Sequence, residues 1–139
     1  MTQVQVRDIM TTSVVCVGEQ EPVTVAARRM RDLDVGSLPV HGLGNVLQGV
    51  VTDRDVVLRV VAEGIDPART TVGELVRGRA VTVDADVAIE TAAHLMGERR
   101  IRRLVVVSGR WVVGIVSQGD LARALPEEVA GALVEAVSA

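Results

Sequence analysis

The chain has 139 residues, 48% of them hydrophobic, which suits one ordinary domain or two very small ones and excludes a disordered polymer. Its formal net charge of −3 at pH 7 disfavours a dedicated nucleic-acid-binding protein, which usually carries a basic excess. Trp111 is the only aromatic residue, so the core must be built from aliphatic side chains, and the abundance of valine favours strands.

The first half of the chain predicts the element order β-α-β-β-α after a short helical lead-in near Val6–Met10. Apolar residues recur at helical spacing between Val23 and Met30. Two strands joined by a glycine-containing turn follow, and a second helix then begins at Thr52 and stops at Gly64. The predicted bounds are 14–17 for the first strand, 23–30 for the first helix, 37–40 and 47–51 for the paired strands, and 52–63 for the second helix.

The second half of the chain repeats this order. Val6–Met10 matches Val72–Val76 at a spacing of 66 residues, whereas Gly49–Asp55 matches Gly114–Asp120 at a spacing of 65. The missing residue falls in the turn between the paired strands, where deletions are tolerated. The second copy therefore predicts strands over 81–83, 103–107 and 111–116 and helices over 89–96 and from 117. The predicted divisions are repeat one over 1–65, a linker over 66–71, repeat two over 72–125 and a C-terminal helix over 126–139.

The last predicted helix opens at Pro126, with two glutamates in its first turn. Val129, Leu133 and Val137 give it an apolar face at helical spacing. We expect this face to pack on its own domain, and a role in dimerisation is the alternative.

The two matched heptads, Gly49–Asp55 and Gly114–Asp120, carry most of the functional signal. Each places a hydroxyl, from Thr52 or Ser117, where a strand meets a helix, with the aspartate three residues later. One interpretation is a capping box, in which both side chains bind N–H groups at the helix start. The other is a nucleotide site, where the helix start and the hydroxyl bind phosphate and the aspartate binds a ribose diol. The repetition strengthens the second interpretation, and both remain open.

These residues resemble those of a stand-alone CBS-domain pair, or Bateman module, over about residues 4–125. The resemblance rests on Asp8-Ile-Met10, on Gly36-Ser-Leu-Pro-Val40 and on the two heptads. The start of the chain and the tail Ala124-Leu-Pro-Glu-Glu128 are most similar to the hypoxic response protein 1 group of this family.

The resemblance implies an α/β (α+β) fold of two βαββα repeats related by a pseudo-two-fold axis, often assembled as a homodimer. It implies a small adenosyl ligand in clefts between the repeats, with no cofactor required. By position, Asp55 and Asp120 would hold ribose, with Thr52 and Ser117 near phosphate. The candidate ligands are AMP, ADP, ATP, S-adenosylmethionine and NAD.

Three further residues are candidates for the nucleotide site. Arg103 occupies the position that in related pairs reaches phosphate in the other repeat's site, whereas its counterpart Ser37 is uncharged. We therefore expect unequal sites, with the Asp55 cleft favouring the more charged ligand. Arg54 follows the first cap, where a solvated position is favoured and phosphate binding is the alternative. Pro39 belongs to the Leu-Pro-Val segment and has no proline counterpart in the second copy.

The remaining titratable residues predict no catalytic or metal site. His41 and His94 lack ligand spacing, and no catalytic motif is found. The arginines between Glu98 and Arg103 are interpreted as an exposed helix end, with phosphate binding as the alternative. We therefore expect a non-enzymatic regulatory module that acts on an unidentified downstream protein. A ligand-free structural or dimerisation module is the alternative.

The N-terminal residues and the cysteine content bear on location. Cys16 is the only cysteine, which favours a reducing compartment, and we expect it to be a small core residue of the first strand. The chain begins with no signal-peptide pattern and has no apolar run long enough to span a bilayer. A cytoplasmic protein with no membrane contact is expected.

Overall fold

Both halves of the chain form a three-stranded sheet with its helices in the computed structural model, which describes residues 3–76 and 80–138. In each sheet the first strand is parallel to the second, and the second is antiparallel to the third. A parallel pair needs a crossover connection, which the amphipathic helix supplies. The predicted α/β fold of two equivalent repeats is confirmed.

The unit Val15–Ala80 contains the first sheet and two helices. Its elements are β1 (Val17–Gly18), α1 (Val23–Leu33), β2 (Ser37–His41), β3 (Leu47–Thr52) and α2 (Asp53–Val56), which continues as a π-helical segment (Val57–Val61). A register irregularity interrupts the β2–β3 pair between Val40 and His41.

The second unit comprises Met1–Val14 and Val81–Ala139. Its elements are β4 (Thr82–Asp84), α3 (Ile89–Arg99), β5 (Arg103–Ser108), β6 (Trp111–Ser117), α4 (Gln118–Ala124) and α5 (Glu127–Ser138). The β5–β6 pair is interrupted between Val106 and Val107, the position equivalent to that in the first sheet. The repeat therefore extends to the strand register.

The predicted start of the first strand is wrong. β1 begins at Val17, so Cys16 lies before the strand and is only half-buried. In the second copy, β4 begins at Thr82, which pairs with Val105. The residue equivalent to Val105 is Pro39, which has no N–H to donate to a neighbouring strand. The first copy therefore has the shorter parallel pair, and both first strands start later than predicted.

The predicted helix over 52–63 is also interrupted. Its α-helical part ends at Val56, a π-helical segment follows to Val61, and Gly64 adopts a positive φ of 68° beyond it. This stretch is rich in valine, whose branched side chain crowds the preceding helical turn. The second-copy helix α4 contains leucine, alanine and arginine instead and remains α-helical throughout.

The two lead-in segments each pack in the unit built by the other repeat. The 3₁₀ turn Val6–Asp8 belongs to the second unit, where the Val6 N–H donates to Val87 O at 2.9 Å. The 3₁₀ turn Val72–Leu75 belongs to the first unit, where the Val72 N–H donates to Glu21 O at 2.8 Å. The compact units thus differ from the sequence repeats, because each lead-in belongs to one repeat by sequence and to the other repeat's unit by packing. The predicted domain limits stay a prediction.

Each unit has an aliphatic core of its own. Val6 is fully buried with the side chains of α3, β5 and α5 in one core, and Val72 is fully buried in the other. Trp111 lies half-exposed outside both. The expectation of an aliphatic core is therefore confirmed.

Helix α5 packs against α3 and α4 of its own unit, as predicted. Leu133 and Val137 are buried there, whereas Val129 is exposed, so the predicted apolar face is only partly covered. None of the helices described is both long and apolar enough to cross a bilayer.

Candidate functional site

The hydroxyl and carboxylate of each heptad meet at a strand-to-helix junction. Thr52 ends β3 and caps α2: its N–H donates to Asp55 Oδ2 at 2.9 Å, and its Oγ1 accepts the Asp55 N–H at 3.1 Å. Ser117 and Asp120 form the same two bonds at the same distances at the start of α4. The capping interpretation is confirmed in both copies.

In each aspartate the capping bonds use the Oδ2 atom of the carboxylate, and the Oδ1 atom takes no part in the cap. Because Oδ2 is bound to a backbone N–H, the carboxylate orientation is set before any ligand arrives, and Oδ1 remains the main acceptor. Asp55 Oδ1 has no hydrogen-bond donor among the described residues, whereas Asp120 Oδ1 accepts Arg123 Nη2 at 2.7 Å. The two junctions therefore differ in the state of this oxygen.

The N–H groups at the start of α2 are already bound. The Asp53 N–H donates to Gly36 O at 2.9 Å, the Arg54 N–H to Asp53 Oδ1 at 2.8 Å, and the Asp55 N–H to Thr52 Oγ1. The expectation of unpaired N–H donors for phosphate at this helix start is wrong. A phosphate at this position must be bound by side chains.

The side chains that remain available near Asp55 are a hydroxyl and a guanidinium. Thr52 Oγ1 accepts one hydrogen bond and keeps its own O–H to donate. Arg54 is exposed, and its guanidinium has no carboxylate partner within the described ranges. The Thr52 hydroxyl and the Arg54 guanidinium can both donate hydrogen bonds to an anionic ligand. The exposed position of Arg54 is also the one expected of a side chain that contacts only water.

Arg103 and Pro39 lie on the central strands of the two sheets. Arg103 begins β5, is exposed, and pairs across the strands with Ser117. The predicted contact of Arg103 with a phosphate in the Asp55 site would involve residues of both units, and it stays a prediction. Pro39 is buried within β2 opposite Val50.

An ion pair between Glu21 and Arg29, here called the clamp, orders the loop around β1. No sequence pattern predicted it. The Arg29 guanidinium binds both Glu21 carboxylate oxygens, at 2.9 and 3.0 Å, and donates to Cys16 O at 3.0 Å. Glu21 Oε2 also accepts the Gly18 N–H at 2.7 Å. The second copy has Val87 and Leu95 at these two charged positions, so the repeat carried no signal for it.

The clamp and its burial shift two pKa values. Burial would raise the pKa of Glu21, but the Gly18 N–H and the Arg29 guanidinium outweigh it, so the pKa lies below its usual value. Burial raises the pKa of the Cys16 thiol, which keeps it protonated at neutral pH and makes it a poor nucleophile.

A cleft of about 360 Å³ lies beside the π-helical segment in the first unit. The Arg59 guanidinium on its wall donates to Glu74 O at 3.2 Å and to Leu75 O. Its lining residues are Arg59, Glu63, Ile65, Thr70, Glu74 and Leu75. The sequence analysis did not predict this cleft.

The two histidines lie apart from any metal-binding arrangement. His94 is exposed on α3 and lies 3.4 Å from Glu98, and His41 ends β2 beside Gly18. Across residues 3–76 and 80–138, no three His, Cys, Asp or Glu side chains cluster so as to hold a metal ion.

Two equivalent βαββα units, each with a capped Thr/Ser-x-x-Asp junction, define a tandem-repeat protein rather than two unrelated domains. The CBS domain family matches residues 6–62 and 72–127, and the chain belongs to this family. The resemblance stated from the sequence is confirmed.

One relative matches this chain over most of both lengths, and its solved structure has the same fold. Hypoxic response protein 1 of Mycobacterium tuberculosis is 44% identical over 131 residues, which cover 94% of this chain and 92% of that protein. The crystal structure of hypoxic response protein I, with two coordinated zinc ions, has a TM-score of 0.80 and 44% identity over 88% of this chain and 100% of that one.

Two more distant structures show what other members bind or form. The crystal structure of CBSX2 in complex with AMP has a TM-score of 0.73 and 28% identity, over 86% of this chain and 94% of that one. The hexameric CBS-CP12 protein from bloom-forming cyanobacteria has a TM-score of 0.72 and 31% identity, over 86% of this chain and 71% of that one.

Proposed function

We propose that this chain is a regulatory module that binds an adenine nucleotide through the carboxylates of Asp55 and Asp120. The observation that carries the proposal is the repeated capping box, which holds one oxygen of each carboxylate and leaves the other outside the cap. An aspartate so oriented suits the two hydroxyls of a ribose. The similarity to CBSX2, whose structure contains AMP, supports an adenosyl ligand.

Phosphate binding would fall to side chains. In the first copy the Thr52 O–H and the Arg54 guanidinium are placed to donate, because the backbone N–H groups there are bound. Ser117 has the Thr52 role in the second copy, and we keep Arg103 and Pro39 as binding residues to be tested. AMP, ADP, ATP, S-adenosylmethionine and NAD are the candidate ligands.

The proposed output is a change in conformation rather than a reaction. A ligand shifts the equilibrium between two arrangements only by its difference in affinity for them. A downstream protein would then recognise the favoured arrangement. The single cysteine, which cannot form an internal disulfide, fits a reducing compartment such as the cytoplasm.

Ligand-dependent thermal unfolding tests the proposal. A ligand at about 100 times its Kd adds roughly 2.7 kcal/mol to the free energy of unfolding. We expect such a shift with at least one of the five ligands, and a smaller shift in the Asp55→Asn and Asp120→Asn variants. Asparagine retains one oxygen for the capping N–H but replaces the second acceptor by an NH₂ group, so the cap is kept and the ribose contact is lost.

Glu74→Gln is the matched control for these variants. The Glu74 carboxylate accepts the Thr71 N–H at 2.7 Å, a bond of the same kind at the second lead-in. Glutamine keeps one oxygen for the Thr71 N–H and removes one negative charge, so this variant should keep its cap and the full ligand shift. If no ligand shifts the unfolding of the parent protein, the aspartates serve only as caps.

A second candidate function, dimerisation without a ligand, is favoured by the surface of the π-helical segment. Val57, Leu58, Val61 and Ile65 are exposed there, Val61 by 65%. Clustered exposed apolar side chains are typical of protein interfaces. Val61→Asp should lower the sedimentation-equilibrium mass if this surface joins two copies. Leu43→Asp is the control, because Leu43 is 92% exposed in the turn between β2 and β3 and does not belong to this segment.

A further inference from the structure

The two aspartate junctions differ at one oxygen, Oδ1. Asp120 Oδ1 accepts Arg123 Nη2 at 2.7 Å, and the Asp120 side chain is only 16% exposed while that of Arg123 is 74% exposed. The residue equivalent to Arg123 in the first copy is Leu58, which cannot form such a bond. Among the described residues, no cation binds the oxygen that the proposed function assigns to ribose at Asp55, whereas Arg123 binds it at Asp120.

The position before the aspartate differs in the complementary way. Arg54 in the first copy is replaced by Gly119 in the second. A Cβ at Gly119 would lie 3.3 Å from Arg123 Nη1, so the absence of a side chain there gives room for the guanidinium over the first turn of α4. The first copy thus has Arg54 at the position of Gly119. It has Leu58 at the position of Arg123.

We propose that Arg123 competes with the ribose hydroxyls for Asp120, so the Asp120 junction binds nucleotide more weakly than the Asp55 junction. This inference rests on the proposed function. A ribose diol that approaches Asp120 must displace a charged donor, and charge-assisted hydrogen bonds are stronger than those between neutral groups. Arg123 is thereby a specificity-determining residue of the second junction.

The exposure of Arg123 limits the size of this competition. Solvent screens a pair in which one partner is mostly exposed, and such pairs change equilibria only modestly. Removing Arg123 should therefore tighten nucleotide binding at Asp120 by roughly two- to fivefold. It should not affect binding at Asp55.

Calorimetric titration with AMP and with adenosine tests the inference. In the Asp55→Asn background, which leaves the Asp120 junction, we expect Arg123→Leu to tighten the Kd for both compounds by the same factor. Arg123→Gln removes the charge while keeping a polar side chain, and serves as a second variant if the leucine variant folds poorly. Arg110→Leu is the control for the loss of one positive charge, because Arg110 is exposed in the β5–β6 turn.

The outcomes separate this inference from the proposed function. Weaker AMP binding in Arg123→Leu with unchanged adenosine binding would mean that Arg123 binds phosphate, and the inference is then overturned. An unchanged Kd for both compounds overturns it as well, while nucleotide binding itself stands. If neither the parent protein nor any variant binds AMP or adenosine, the proposed function fails, and this inference fails with it.

Discussion

The Glu21–Arg29 pair shows how much a single charged side chain can organise. Glu21 binds a guanidinium on one side and the Gly18 N–H on the other, while Arg29 also donates to Cys16 O. Residues 16–21, which lead through β1 into α1, are thereby tied to the helix. Neither residue repeats in the second copy, so the clamp is specific to the first unit.

Glu21→Gln should lower the free energy of unfolding by about 1 kcal/mol at pH 7, since a charged pair is replaced by a neutral one. The pKa of Glu21 is lowered in the folded state. Its stabilisation is therefore present above the usual glutamate value of about 4.5 and is lost as the pH falls through the lower folded value. Urea unfolding of both proteins between pH 7 and pH 3 should show the difference shrinking below pH 4.5.

Asp32→Asn is the control for this pH dependence. The hydrogen bond from Arg31 lowers the pKa of Asp32, but both side chains are mostly exposed. Its removal should change the stability less than Glu21→Gln does. An effect of Glu21→Gln that stays constant with pH would show that the packing of the side chain, and not its charge, stabilises the loop.

At the scale of elements, the two amphipathic helices end alike. The residue that follows each helix, Asp34 after α1 and Arg100 after α3, has a φ of 55°. A left-handed residue at a helix C-terminus is most often glycine, since a Cβ costs roughly 1 kcal/mol there. The two residues carry opposite charges, which makes them a natural comparison.

Asp34→Gly should stabilise the protein by about 0.5–1 kcal/mol, because it relieves the left-handed strain and removes a negative charge from a helix C-terminus. Arg100→Gly should stabilise it less, since the positive charge it removes is favourable at that end. Paired urea unfolding curves measure the difference. Equal effects would indicate that the helix dipole is unimportant at these two ends.

At the scale of the whole molecule, the lead-in segments decide which parts of the chain unfold together. Gly114 on β6 shows how closely the first lead-in packs: an added Cβ would lie 2.5 Å from Met10 Sδ. Val6 and Val72 are each fully buried in the core of the unit built by the other repeat. Loss of a lead-in contact should therefore destabilise residues that are distant from the lead-in in sequence.

Val6→Ala should cost about 2 kcal/mol and reduce amide protection chiefly in residues 81–138, although Val6 belongs to the first sequence repeat. Val72→Ala is the matched variant and should reduce protection chiefly in residues 15–76. Hydrogen exchange with mass spectrometry distinguishes the two patterns. Protection lost mainly within each residue's own sequence repeat would contradict the exchanged packing.

The repeat, the order of the elements and the two capping boxes could all be predicted from the amino-acid sequence. These features depend on side-chain periodicity and on hydrogen bonds between residues three apart, such as Thr52 and Asp55, so no distant segment is needed to specify them. The Asp120–Arg123 pair has the same short range, and a comparison of the two copies at Leu58 would have indicated it.

Three features could not be predicted in this way: the exchange of the lead-ins, the Glu21–Arg29 clamp and the hydrogen bond from the Asp53 N–H to Gly36 O. Each is a contact between segments that are distant in sequence and meet only in the folded core. No local sequence pattern indicates which segments will meet. The late start of β1 has the same origin, because Pro39 acts on its neighbour across the sheet. Local hydrogen bonds and periodicity can be predicted from residues close in sequence, whereas contacts between distant segments follow from packing.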